Sequence, residues 1–158
     1  MKEEKTNVMR VLDGKKIRYE SRQYAPDATL SGEEIADILG EDADRVFKTL
    51  VTVGKTGEHY VFVVPVKAEL DLKKAAKACG EKDVAMIKQK ELLPLTGYVH
   101  GGCSPIGMKK PFKTFIHMTA ECYDTIFVSA GKVGFQIEIS PKDLTEVAGC
   151  TQADIIKA

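Results

Sequence analysis

The chain has 158 residues, 44% of them hydrophobic and 29% charged, with 23 Lys+Arg set against 23 Asp+Glu. These values fit one ordinary packed domain, and they exclude a disordered or fibrous chain and a polycation that holds nucleic acid through bulk charge. No apolar run approaches the ~20 residues of a membrane span, and the first ten residues, MKEEKTNVMR, lack the apolar stretch of a leader, so the expected location is the cytoplasm.

In chain order, Asn7 is positioned to cap a short helix with an apolar face of Val8, Val11 and Leu12 that stops at Gly14. Alternation through Ile17, Tyr19 and Ser21 predicts a strand. Ser31 with Glu34 three residues on reads as a capping box, opening a helix through Ile35, Ile38 and Leu39 that Gly40 closes. Val46 to Val53 and Tyr60 to Val66 are β-branched runs around GKTGEH, the pattern of a hairpin. Asp71 caps a predicted helix LKKAAKACG, with Leu72, Ala75, Ala76 and Cys79 at helical spacing. A VAMI strand, a polar KQKELL helix broken near Pro94 and the glycine-rich TGYVHGGCSPIG follow. Strands are then expected at Lys113 to His117, Thr125 to Ser129 and Phe135 to Ile139, and Ser140–Pro141 opens a terminal helix. Roughly seven strands and four or five helices that do not alternate strictly predict an α+β fold, a mixed sheet or small barrel flanked by helices, as one domain over 1–158.

Cys79, Cys103, Cys122 and Cys150 show no metal-ligand spacing with His59, His100 or His117, so no metal or cofactor is expected and the thiols read as free. The glycines and Pro105 of Gly101–Gly107 can aim main-chain N–H groups at an oxyanion, or can form a structural turn. A nucleotide P-loop is rejected, because Met108 and Lys109 stand where Lys and Ser/Thr are required. Lys48, at the start of an apolar strand, is either an edge guard or an ammonium aimed into a site. Cys103 near His100 suggests a thiol nucleophile, against the commoner small buried thiol.

FKTLV at 47–51, LDLKKAAKACG at 70–80, TGYVHGGCSPIGMKK at 96–110 and VSAGKVGFQIEISPKDL at 128–144 occur in the order and spacing of a known family. From about Tyr24 to Asp154 the chain resembles the YbaK/EbsC branch of the YbaK/ProRS editing-domain superfamily, the free-standing aminoacyl-tRNA deacylases. The resemblance implies a mixed β-barrel with flanking helices and a trans-editing hydrolase for the aminoacyl ester of mischarged tRNA, chiefly Cys-tRNA(Pro) or Cys-tRNA(Cys). It implies the tRNA acceptor end as ligand, prolyl-tRNA synthetase as a partner, and no cofactor.

On that likeness Lys48 is the site lysine, and Gly101 with Pro105 frames a GxxxP loop whose main chain, through Gly102, Cys103 and Ser104, holds substrate near the scissile carbonyl. Tyr24, Leu30, Thr49, Ser129 and Gly131 correspond to further pocket positions. Val133 stands where relatives often have Arg, and Leu30 where some have Phe. The attacking group is implied to be the substrate's own cysteine thiol or a water directed by a ribose hydroxyl. Two alternatives stand beside this reading: a Cys103-dependent ester or peptide hydrolase, and a non-catalytic tRNA- or synthetase-binding module of the same fold.

Overall fold

The computed structural model describes residues 4–158; Met1, Lys2 and Glu3, which open the stretch read for a leader, lie outside it. Helix α1 (Asn7–Gly14) is capped by Thr6, one residue earlier than expected, whose side chain accepts from the Met9 N–H. It buries Val8, Met9 and Leu12. Strand β1 (Glu20–Gln23) begins later than the alternation suggested, and α2 (Gly32–Leu39) carries the Ser31–Glu34 capping box with Gly40 left-handed at its end. Strands β2 (Phe47–Gly54) and β3 (His59–Pro65) form the expected hairpin, and Asp71 caps α3 (Leu72–Cys79) through the N–H groups of Lys73 and Lys74.

After the short β4 (Val84–Met86), the predicted polar helix is a 3-10 turn at Gln89–Glu91 leading into α4 (Leu92–Thr96). Pro94 is not a break there, because it lies in the first turn, where a helix requires no N–H donor. Strands β5 (Lys113–His117), β6 (Ile126–Ser129) and β7 (Phe135–Ile139) follow, then α5 (Pro141–Ala148) and a final β8 (Cys150–Ala153) that the sequence reading did not contain.

The α+β architecture with a mixed sheet is as expected, but the strands form two sheets and do not close into a barrel. One sheet is antiparallel, in the order β1-β7-β6; the other runs β4-β2-β3-β5-β8, with β3/β5 and β5/β8 parallel. Outside the sheets proper, a single parallel bridge, Val46 to Phe127, joins them. Ala36 of α2 packs with Val46 and Phe127 over this joint, and the guanidiniums of Arg22 and Arg45 lie 5.2 and 4.9 Å from the Phe127 ring. The main core lies on the other face of β6 and β7, where Val128, Ile137 and Ile139 meet Val8 and Leu12 of α1. No helix among the described residues is long and apolar enough to cross a membrane.

His117 closes β5 and is 4% exposed, with Nδ1 accepting from the Ile155 N–H at 3.3 Å. Burial pushes its pKa down, and Asp154 opposes this only in part. The unfolded chain takes up a proton near pH 6.5 while the folded chain still resists one, so this contribution is complete above about 6.5 and is lost as pH falls below it. The expected outcome is a melting temperature that drops between pH 7 and pH 5.5 by more in the parent than in His117→Asn, which keeps an acceptor that does not titrate.

Candidate active site

Side chains on β2 alternate, and so does its main chain. Val66 donates to the Val46 carbonyl and Gly54 to that of Glu58, both at 2.8 Å, so even-numbered residues of β2 direct their peptide groups at β3. Odd-numbered residues point to the opposite edge. There β6 is bridged only at Val46, just before β2, and β4 pairs only from Thr52 to Gly54 among the described residues. Thr49 therefore has no strand neighbour on that side, and its Oγ1 is buried with no hydrogen-bond partner among the described residues.

This gap opens into a cavity of about 420 Å³, within the usual range for small-molecule sites. Lys48, Thr49, Gly101 and Cys103 line it, as do Tyr24, Leu30 and Ser129. Four other residues of the sequence reading do not. Pro105 and Ser104 are buried behind the wall, with Ser104 Oγ accepting from the Ile106 N–H at 3.2 Å. Gly102 packs against the main chain of Lys132 and Val133, and Gly131, at φ +90°, packs against Tyr98 and Val8. These four hold the two loops that present their neighbours to the cavity.

The parallel bridge sets Val46 and Phe127 on one face, so two residues further Lys48 and Ser129 share that face across the split, together with Gln136, the register partner of Ser129. Lys48 is half-buried and makes no ion pair among the described residues. Desolvation lowers its pKa, partly offset by the fields of Glu69 and Glu33. Lys48 is thus a partly desolvated ammonium on the cavity wall, unlike a fully solvated edge guard.

Gly101 takes φ +85°, and a Cβ there would sit 3.3 Å from the Ala28 Cα, which ties the glycine loop to the 24–30 segment. The Gly102 N–H is spent on the Val99 carbonyl at 2.9 Å, whereas those of Gly101 and Cys103 find no acceptor among the described residues. The Cys103 thiol is pushed up to about 12 by burial, and its modest relief comes from Thr96, not His100. Burial thus favours the neutral thiol at neutral pH, a state that disfavours nucleophilic attack.

Phe135, Gln136 and Leu92 also line the cavity, and the sequence reading missed them. For Gln136 a signal existed: the AGKVG turn between two strands fixes which residue faces Ser129.

The family model of the aminoacyl-tRNA editing domain matches residues 26–147. The chain is 46% identical over 154 residues to an Enterococcus faecalis protein named "Putative Cys-tRNA(Pro)/Cys-tRNA(Cys) deacylase EbsC", covering 97% of this chain and 94% of that one. It is 32% identical over 94 residues to a proline--tRNA ligase of Pelobacter propionicus, covering 58% of this chain and 16% of the ligase. A crystal structure described as "a putative trans-editing enzyme for prolyl tRNA synthetase" superposes with a TM-score of 0.81 at 25% identity, covering 98% of this chain and 100% of that one.

Proposed function

The chain belongs to the aminoacyl-tRNA editing domain family, and from this we propose that it is a trans-editing hydrolase that cleaves the ester between a misplaced amino acid and the terminal adenosine of tRNA. The observation that carries the reading is an unpaired, half-buried Lys48 lining the same cavity as the glycine loop with its two unused N–H groups.

An aminoacyl ester is already activated, so the protein's task is to hold the carbonyl and to stabilise the oxyanion that forms on it. We assign the oxyanion to the Gly101 and Cys103 N–H groups and the adjoining negative charge, ester or terminal phosphate, to Lys48. Attack comes from a water or from the substrate's own thiol, since Cys103 stays protonated. The tetrahedral intermediate collapses, the ribose oxygen leaves with the proton given up by the attacking water or thiol, and tRNA parts from the free amino acid or, after thiol attack, from a cyclic thioester that water then opens. Thr49, Tyr24, Leu30 and Ser129 complete the pocket for the acyl group and ribose in this reading.

The whole of 1–158 acts as one editing domain, working in the cytoplasm on acceptor ends that a prolyl-tRNA synthetase has charged. Cys-tRNA(Pro) is the first substrate to assay, beside Cys-tRNA(Cys) and Ala-tRNA(Pro) in a deacylation panel. Release of cysteine or another small amino acid well above the uncatalysed rate supports the reading, and no release from any member of the panel overturns it. Cys103→Ser separates the rival hydrolase: turnover is expected to change by less than about threefold, since no step uses the thiol. Loss of more than about 10²-fold in that variant would instead identify a covalent mechanism.

A further inference from the structure

We infer that Gln136 accepts the α-ammonium of the acyl group, with Glu41 fixing the direction in which its amide points, so that the site selects free aminoacyl esters over esters without the amine. This rests on the deacylase reading above and specifies which substrate group the cavity reads.

Gln136 is 4% exposed and lines the cavity, yet its Oε1 has no hydrogen-bond partner among the described residues. An amide oxygen only accepts, and leaving one buried and unpaired is costly unless a ligand supplies the donor. Beside Gln136 lies Glu41, whose side chain is 1% exposed and whose one ion-pair contact among the described residues is Arg22 Nε at 3.5 Å. The other carboxylate of this cluster is already engaged. Glu138 takes Arg22 at 3.0 Å and Arg45 at 3.1 Å and also accepts from Thr125. Glu41 is thus the under-satisfied carboxylate, and its two oxygens make no hydrogen bond of good geometry.

Burial raises the Glu41 pKa, and the amide of Gln136 is the largest influence pulling it back. A carboxylate can only accept, so the amide nitrogen turns toward Glu41 and Oε1 is left for the cavity.

The donor that fits is set by the ligand's chemistry. On an ester of a small amino acid the α-ammonium is the one strong donor of the acyl part, with three N–H bonds. Lys48 shares the face of Gln136, and its charge repels a second cation from its own end of the cavity. The negative charge adjoining the oxyanion therefore goes to Lys48 and the ammonium to Gln136, beside the Ser129 hydroxyl.

The test compares each aminoacyl-tRNA of the deacylation panel with its α-hydroxyacyl counterpart, made by deaminating the same charged tRNA. Each kcat/KM is divided by the ester's uncatalysed rate, because the amine itself activates the bond. The wild-type protein is expected to prefer the amine by at least about 30-fold, and Gln136→Leu to bring the two within about threefold. Equal normalised rates in the wild-type protein overturn the inference even if the variant fails to fold, as does full preference in a folded Gln136→Leu. Hydrolysis of neither ester would instead overturn the deacylase reading and this inference with it.

Discussion

Lys48→Ala is expected to lower kcat for deacylation by about 10²–10³-fold, or about 3–4 kcal/mol in the transition state, the usual cost of removing one preorganised electrostatic contact. The melting temperature should hold or rise. Lys48 has no ion-pair partner to lose among the described residues, and its burial already works against the charged form. Lys48→Met separates charge from packing, because it retains most of the aliphatic stem. If the ammonium acts as assigned, Met fails as Ala does, and Arg restores part of the rate because its charge is kept in a different shape. A loss confined to KM would move Lys48 from transition-state stabilisation to ground-state binding of the acceptor end. Normal turnover by Lys48→Met would remove it from the mechanism.

The local elements of this molecule were legible because their signals are local. Ser31 with Glu34, Asp71 before LKKAAKACG and Ser140 before Pro141 each supply a hydroxyl or carboxylate to the first free N–H groups of a helix, and each does so in the structure. Position within the sheets was not. Strand β8, CTQA, alternates too weakly to read as a strand and exists because β5 offers it a parallel edge, with Thr114 set against Cys150. Closure into a barrel was likewise a nonlocal matter. It depends on whether β6 pairs with β2 beyond Val46, and the backbone bridging ends there, beside α2.

The site divides along the same line. The motif around Lys48 and the glycine loop marked residues that line the cavity, since each carries an unusual residue type for its surroundings. Gln136 and Glu41 carry no such mark. A glutamine in a strand and a glutamate after a helix are ordinary solvated residues until tertiary packing buries both. Motif reading also overreached in treating the glycine loop as continuous. Gly101 and Cys103 face the cavity, while Gly102, Ser104 and Pro105 are committed to the wall behind it.

That division makes Gly102 the residue whose smallest change should do the most harm without touching substrate. A Cβ at this position would lie 2.9 Å from the Val133 nitrogen, 3.1 Å from the Lys132 carbonyl carbon and 3.2 Å from the Lys132 Cα. All three are main-chain atoms, so no side chain can swing aside; the two loops themselves must separate. One loop carries Gly101 and Cys103, and the other begins at Ser129, whose Oγ holds the Gly131 N–H at 3.2 Å. Separating them moves the proposed oxyanion donors relative to the rest of the cavity. A shift on the order of 1 Å in such a constellation costs roughly 10²-fold in rate. Gly102→Ala is therefore expected to lose about that much kcat/KM while remaining folded. Gly14→Ala is the matched control: a Cβ there meets nothing within 4 Å, and its rate should equal that of the parent. Full activity in Gly102→Ala would mean that the loop tolerates displacement, and the oxyanion would then have to be held by groups other than the Gly101 and Cys103 N–H pair.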